Sequence, residues 1–151
     1  YNTFKLYDIN PENIEFEVTE SAYLENFTLS NKFFRRIGNM GCAIALDDFG
    51  TGYSSLSYLT QINIDTLKVD RQFVMEIQTS ERSRLVTGAI IDLAKRLSLS
   101  VCAEGIENLE QWNYLRAHGC DNVQGFMFSK PIPLAELIHS PYHYSDSSFS
   151  V

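Results

Sequence analysis

No apolar run in the 151 residues approaches the roughly 18 needed to cross a bilayer as a helix. A membrane-spanning reading is excluded on that ground. Cysteine is scarce and odd in number. Cys42, Cys102 and Cys120 cannot all pair within the chain and none stands in a CxxC pattern, which argues against a disulfide framework or a thiolate metal site. Cys42 and Cys102 sit beside apolar, strand-like runs, so buried free thiols in a reducing compartment are expected. Positive charge is also short, with 12 Lys+Arg against 19 Asp+Glu and a net charge of −7. That excludes the basic surface a DNA or RNA duplex binder requires. It leaves room for a phosphate substrate, provided metal ions supply the missing positive charge. Histidine is rare, and His118, His139 and His143 all lie outside the polar motifs, where surface positions are expected. No secretory signal opens the chain and Tyr1-Asn2-Thr3 lacks an initiator Met, so the sequence reads as beginning inside something longer.

What is present is a core. The chain is 44% hydrophobic, with ten Phe and eight Tyr, too much apolar mass to leave in water and enough for about one domain. Five short segments have strand character: Ile14–Thr19, Ala43–Asp47, Thr66–Asp70, Ser100–Glu104 and Asn122–Phe128. Helical patterns lie between most of them. Leu24 to Met40 carries Phe27, Phe33, Phe34 and Ile37, with Gly41 as a stop. Ser80 is an N-cap for a helix to about Leu97, on which Leu85, Ala89, Ile90, Leu93 and Leu97 predict the buried stripe. Asn108 caps a shorter helix through Trp112 and Leu115 that ends at Gly119. Pro131 and Pro133 mark a turn before a short Leu134–Ile138 helix. Residues 140–151, rich in Ser and Tyr, read as a loose tail.

Alternating strands and helices imply a parallel sheet with right-handed crossovers. Each strand carries an ionisable or amide residue at or near its C-terminal end: Glu17, Asp47, Lys68, Glu104 and Gln124. Period-two alternation puts Glu15, Glu17 and Thr19 on one face and Ile14, Phe16 and Val18 on the other. In the next two strands it sets Ala43, Ala45 and Asp47 against Ile44 and Leu46, and Thr66, Lys68 and Asp70 against Leu67 and Val69. The apolar face is expected to meet the helices. A doubly wound sheet fits the length but would gather ligand residues at one switch point. Functional residues at the end of every strand suit a barrel, whose strand ends converge on one mouth. The expected fold is therefore α/β, a partial (β/α) TIM-like barrel of about five parallel strands. A complete eight-unit barrel needs around 250 residues, so the N-terminal strands are missing.

The stretch Asp47-Asp48-Phe49-Gly50-Thr51-Gly52-Tyr53-Ser54-Ser55 is the most informative. Adjacent carboxylates repel unless a cation lies between them, and the glycines allow a tight loop. The bland alternative is a solvated acidic turn. Glu17-Val18-Thr19-Glu20 adds two carboxylates at the preceding strand end. Lys68, inside a buried strand, must meet an anion, whether a ligand or a structural partner such as Asp70. Glu104-Gly105-Ile106-Glu107 repeats the acidic strand end, and Gln124-Gly125 offers an amide where backbone can approach a ligand. A carboxylate set without His or Cys selects a hard divalent ion, Mg²⁺ or Mn²⁺, over zinc. Such ions near a lysine are the usual equipment of phosphate chemistry.

In order and spacing, EFEVTES, ALDDFGTGYSSLSYL, LKVD, CAEGIE and VQGFMFSKP resemble the C-terminal part of the EAL domain family, cyclic-di-GMP-specific phosphodiesterases. The resemblance runs from about Ile14 to Leu137, which makes residues 1–139 the C-terminal portion of an EAL domain. It implies a modified TIM barrel and hydrolysis of cyclic di-GMP to linear pGpG with two divalent ions, Mg²⁺ or Mn²⁺. By the same resemblance Glu17, Asp47 and Asp48 are metal ligands. Lys68 is the catalytic lysine near the attacking water, and Glu104 positions or activates that water. Gln124 lines the metal and water site, and Glu107 is a supporting acid. Glu20 and Thr51 stabilise the loop from Phe49 to Ser55, which in the family couples dimerisation to the active site. A homodimer, or association with the missing part of the domain, is implied, as is a cytoplasmic catalytic domain whose parent can be tethered to the inner membrane by an upstream segment.

Two ligands of the family pattern have no counterpart in this sequence: the Glu of the name-giving Glu-Ala-Leu segment and an Asn on a later strand. Asn2, Asn10 and Asn13 lie in the wrong context to replace the latter. The isolated chain is therefore expected to hydrolyse cyclic di-GMP far more slowly than an intact domain. The alternative reading is a non-catalytic remnant that acts as a binding or interaction module.

Overall fold

The computed structural model describes residues 2–51 and 56–139. The expected tail, 140–151, and the loop residues 52–55 lie outside the described residues. Five strands form one parallel sheet in the order β1-β2-β3-β4-β5: β1 Glu15–Thr19, β2 Ala43–Phe49, β3 Thr66–Val69, β4 Ser100–Glu104 and β5 Asn122–Gln124. The helices are α1 Asn2–Leu6, α2 Glu20–Glu25, α3 Phe27–Gly38, α4 Leu56–Leu59, α5 Arg71–Met75, α6 Glu81–Arg96, α7 Leu109–Ala117 and α8 Leu134–Leu137. Strand order that simply follows chain order leaves no reversal point, which is the pattern of a barrel wall and not of a doubly wound sheet. The five-strand partial-barrel expectation is met.

The two faces divide as the alternation requires. Ile44, Leu46, Leu67, Val69, Val101 and Ala103 are fully shielded from solvent and form the centre of the core with residues of the helical layer. Tyr23 stacks on Phe34 at 5.4 Å between ring centroids, joining α2 and α3 over that apolar face. The other face carries Glu17, Lys68 and Glu104, which the register brings into line. Glu17 lies opposite Ala45, Lys68 opposite Cys102, and Glu104 opposite Gln124.

Local caps account for where the helices begin. Ser80 accepts from the Ser83 N–H at 3.1 Å, and Asp70 accepts from the Gln72 N–H at 2.8 Å. Asn108 and Gln111 form a reciprocal capping box on α7. Four expectations need correction. The helix predicted from Leu24 to Met40 is broken at Asn26, whose side chain accepts from the Leu29 N–H at 3.2 Å and restarts the chain as α3. The stripe on α6 is rotated: Leu85 and Ala89 are exposed, while Ser83, Thr87, Gly88, Ile90, Ile91 and Ala94 are buried. Small and hydroxyl residues can face the core there because Thr87 Oγ1 donates to the Ser83 carbonyl and Ser83 Oγ to Glu76. The fifth strand stops at Gln124, since the chain turns at Gly125. His118 is half-buried against Tyr114, with ring centroids 4.1 Å apart, and is not a surface residue. His139 is exposed as expected, and His143 lies outside the described residues.

All three cysteines are unpaired, but only Cys42 is fully buried, with Cys102 and Cys120 intermediate. Burial pushes the Cys102 thiol up to about 11 against the opposing pull of Lys68. It pushes Cys120 up to about 12. Both stay protonated at neutral pH and behave as small apolar groups.

Candidate active site

Lys68 sits mid-sheet on β3 with its side chain 5% exposed. A lone ammonium there would cost several kcal/mol in lost hydration. Its three N–H donors instead find three carboxylates: Glu104 at 2.6 Å, Glu17 at 2.9 Å and Asp47 at 3.2 Å. These come from β4, β1 and β2, so the ammonium ties together the C-terminal halves of four adjacent strands. From the fifth, Gln124 Nε2 donates to Glu104 Oε1 at 2.7 Å. The five strand-end residues singled out in the sequence thus share one cup.

A bulge shapes its floor. Pairing of β2 with β3 slips one residue between Leu46 and Phe49, and Asp48 takes a left-handed φ of 56°. The extra residue sets Asp48 beside Asp47, whose Oδ1 accepts the Asp48 N–H at 3.0 Å. Bulges of this kind re-aim side chains at sheet ends.

Charge in the cup is unbalanced, because Glu17, Asp47, Asp48 and Glu104 face the single ammonium of Lys68. Burial, then the charges of Asp47 and Asp70, hold the Asp48 carboxyl above the ordinary carboxylate range. Burial also raises Glu104, against the opposing hydrogen bond and charge of Lys68. For Lys68, burial pulls the pKa down, but hydrogen bonds to Glu104 and Glu17 and the charges of Glu104 and Asp47 outweigh it. The group is held well above the usual lysine value and stays charged.

The donor set fits a hard divalent cation in kind, since it consists of carboxylate oxygens with an excess of negative charge. In arrangement the cup is closed on the ammonium. Among the described residues, no three His, Cys, Asp or Glu groups are placed to hold a metal ion.

The other expected residues lie nearby but apart. Glu20 is 3% exposed at the start of α2. Its Oε1 accepts from the Tyr58 hydroxyl at 2.6 Å and its Oε2 from the Gly50 N–H at 3.2 Å, so it grips the first residue after β2. Thr51 is exposed and donates to the Asp48 carbonyl at 2.9 Å. Glu107 does not reach Lys68 and pairs with Arg71 Nη2 at 3.0 Å.

That pair lines a cleft of about 440 Å³ that opens beside Glu104 and Gln124. Two glycines build it. Gly105 has φ +72°, and a Cβ there would lie 2.3 Å from Arg71 Cγ, so only glycine lets Arg71 pass over the end of β4. A Cβ on Gly125 would come within 2.2 Å of the Ile106 backbone. Its absence lets the Ile106 N–H bond the Gln124 carbonyl at 3.1 Å and the Met127 N–H bond the Ile106 carbonyl at 2.9 Å. Sequence reasoning missed Arg71, Phe126 and Lys130 of this cleft. The available signal was Arg71 itself, a cation directly after a strand-end Asp.

The EAL domain family model matches residues 2–131. The signalling protein YkoW of Bacillus subtilis is 47% identical over 132 residues, covering 87% of this chain and 16% of that protein. The cyclic di-GMP phosphodiesterase NbdA of Pseudomonas aeruginosa is 46% identical over 124 residues, covering 82% of this chain and 16% of that protein. The chain therefore spans about a sixth of the length of these curated relatives. Among solved structures, the PaMucR phosphodiesterase in complex with cyclic di-GMP superposes with a TM-score of 0.86 at 35% identity, covering 90% of this chain and 55% of that one. BlrP1 of Klebsiella pneumoniae, solved with manganese and cyclic di-GMP, gives 0.80 at 34% identity over 86% of this chain and 33% of that one. No described helix is long and apolar enough to cross a membrane. The chain belongs to the EAL domain family.

Proposed function

We propose that this chain, as part of an EAL domain, carries the reacting centre for hydrolysis of one phosphodiester of cyclic di-GMP to linear pGpG. The observation that carries the reading is Lys68 Nζ held within 3.2 Å of carboxylates from three neighbouring strands. Glu17, Asp47 and Asp48 would hold the divalent ions, Mg²⁺ or Mn²⁺. Such ions, when bound, supply Lewis-acid charge and lower the pKa of water.

The remaining work falls to the chain's own groups. Lys68, itself 5% exposed, presents fixed positive charge where negative charge grows on the phosphoryl oxygens. Glu104 Oε1 is held by Lys68 and Gln124, which leaves Oε2 to take the proton of the attacking water. Its raised pKa brings it closer to the range of a useful base. Gln124 fixes the Glu104 plane. Glu107 acts as a supporting acid at one remove, through Arg71. Glu20 and Thr51 steady the loop that follows β2. The chain's partners are cyclic di-GMP and either a second copy or the rest of the domain. The edges that β1 and β5 leave unpaired among the described residues would take up such a neighbour. Residues 1–139 act as one unit in a cytoplasmic setting.

One observation favours a second reading, a binding module without turnover: the cup is closed on Lys68, with no three acidic groups placed for a metal among the described residues. Incubation of the purified protein that carries this chain with cyclic di-GMP and Mn²⁺, read by chromatography, separates the two. Production of pGpG that stops with a chelator, and with Asp47→Ala or Lys68→Ala, is the expected result. Wild-type rates in either variant would remove the mechanism. Cyclic di-GMP binding with no pGpG formed would establish the binding module.

A further inference from the structure

Two aspartates at the end of the sheet opposite the cup make the same contact. Asp65 stands directly before β3 and Asp121 directly before β5. The Asp65 N–H donates to the Ile44 carbonyl at 2.9 Å, and Asp65 Oδ2 accepts the Ile44 N–H at 2.9 Å. The Asp121 N–H donates to the Val101 carbonyl at 3.1 Å, and Asp121 Oδ2 accepts the Val101 N–H at 2.8 Å. In each case one residue satisfies both main-chain groups of the second residue of the neighbouring strand. The carboxylate takes the place of a ladder carbonyl where the incoming loop is not yet a strand. The other two pairings open on main-chain bonds, Ala43 N–H to the Ile14 carbonyl at 3.0 Å and Ser100 N–H to the Asp65 carbonyl at 2.9 Å. Asp65 therefore ties β2, β3 and β4 together at their starts.

What lies above the two clamps differs. Between β4 and β5 the register is regular up to Glu104 and Gln124. Between β2 and β3, Leu46 pairs with Leu67 and Phe49 with Val69, so Asp47 and Asp48 together oppose Lys68. A bulge bends and twists its strand, and it keeps its shape only while the ladder is held on both sides. Above it, Phe49 is buried and Glu20 accepts the Gly50 N–H. Below it, the registered pairs Ala45 with Thr66 and Leu46 with Leu67 make a short run, and Asp65 closes that run. Ile44 is fully shielded from solvent, so water is a poor substitute for the carboxylate on its N–H. Asp65 is itself exposed and makes the bond at little cost in lost hydration.

We infer that Asp65 is a positioning residue for the cup. By clamping Ile44 it fixes the bulge that sets Asp47 within 3.2 Å of Lys68 Nζ and Asp48 beside it. The consequence for turnover rests on the hydrolytic reading above, whereas the consequence for the bulge does not. The test combines hydrogen exchange, read by mass spectrometry, with steady-state kinetics on the purified protein that carries this chain. Wild type, Asp65→Ala, Asp65→Asn and Asp121→Ala are compared, with circular dichroism to confirm folding. Asp65→Ala should speed exchange across residues 47–50 by about tenfold or more, the scale of one lost hydrogen bond to a charged acceptor. Asp121→Ala removes the same contact where no bulge lies above it. It should speed exchange at 101–104 and leave 47–50 within about twofold of wild type. Asp65→Ala should also lower kcat per folded molecule by about tenfold, the cost of displaced reacting groups, with KM little changed. Asp65→Asn keeps an acceptor oxygen in place and should recover most of both losses. Should Asp65→Ala fail to fold, Asp65→Glu, which moves the carboxylate by one methylene, carries the same expectations. Unchanged exchange at 47–50 in Asp65→Ala, or an equal rise there in Asp121→Ala, would reduce the clamp to a stabiliser of strand starts and overturn the inference. So would an asparagine variant as impaired as the alanine one. Wild-type kcat in Asp65→Ala would defeat the positioning role and leave the hydrolytic reading standing. If wild type forms no pGpG, the hydrolytic reading fails and exchange at 47–50 still decides whether Asp65 holds the bulge.

Discussion

The two faces of the same five strands do different work. On the helix side, Ile44, Leu46, Leu67, Val69, Val101 and Ala103 are fully shielded, and they stabilise by area removed from water, without direction or charge. On the other side, Glu17, Asp47, Lys68 and Glu104 are joined by three ion pairs around one ammonium. The contribution of that cluster to folding is small or negative once desolvation is counted. Its value lies in holding charge at a fixed place. Successive residues of one strand thus divide apolar burial from fixed charge, and Leu67 and Lys68 are neighbours on opposite faces.

Substitution at that pair should split the two effects cleanly. Leu67→Ala removes a fully buried side chain and should lower unfolding free energy by about 2–5 kcal/mol, read by urea titration. Cyclic di-GMP turnover per folded molecule should stay near wild type. Lys68→Ala should lower kcat by about 10²–10³, the typical loss for one electrostatic contact to a transition state, with far-UV circular dichroism unchanged. If Leu67→Ala lost turnover without losing stability, the division between faces would fail.

Glu20 tests whether the loop after β2 belongs to the chemical side or to the core. Glu20→Gln should weaken the contacts to the Gly50 N–H and Tyr58 and cost about 1–3 kcal/mol. Turnover should fall as the loop loosens, by less than in Lys68→Ala. A stability loss with turnover intact would assign Glu20 to the core alone.

The pH dependence sharpens the same contrast. Lys68 has a folded-state pKa above its ordinary value of 10.5. Its stabilising share is therefore complete below that value and lost as pH rises through the higher folded value. Tyr23 and Tyr114 are also raised, chiefly by burial, and add loss of the same sign. The diagnostic is thus the difference between wild type and Lys68→Met. The alkaline fall in melting temperature should be shallower in the variant. A Leu67→Ala chain should keep the wild-type slope. Equal slopes in wild type and Lys68→Met would mean that folding does not raise the pKa of the ammonium.

The smallest effect belongs to the exposed pair of Lys95 with Asp121, 2.6 Å apart. Burial would raise Asp121, but Lys95 and the Val101 N–H hold it below the usual carboxylate range. Its share of stability is present above the ordinary Asp pKa of 3.8 and is lost as pH falls through the lower folded value. Lys95→Ala should cost less than about 1 kcal/mol at neutral pH. A larger loss would mean that Asp121 anchors the edge of β4 through Val101 more firmly than a surface contact does.

Much of the fold was legible because strands carry a strict period. Alternation at Glu15–Thr19 and Thr66–Val69 assigned each side chain to a face, and acidic or amide strand ends marked the mouth. Helix faces were less legible. The buried face of α6 uses Ser83, Thr87 and Gly88, which a hydrophobicity pattern counts as polar or neutral. Their burial depends on hydrogen bonds and close packing visible only in three dimensions. Asn26 split one expected helix because a capping side chain inside a helical pattern competes locally with the backbone. In the site, Glu17, Asp47, Lys68, Glu104 and Gln124 were found from residue type and position, whereas Arg71, Phe126 and Lys130 were not. Their cleft exists because two glycine-bearing loops, distant in sequence from Arg71, leave space at the ends of β4 and β5.

By itself the sequence determined which residues share a face, that carboxylates without histidine accompany one lysine at the strand ends, and which family the motifs resemble. These are local properties, set by a two-residue period and by side-chain chemistry. Only the tertiary structure decided that Lys68 closes on three carboxylates at once, that Glu107 turns away to Arg71, and that a cleft opens beside them. Those outcomes depend on strand register, on the one-residue slip at Asp47-Asp48, and on how near two backbones can approach where no Cβ intervenes. No window of sequence contains that information.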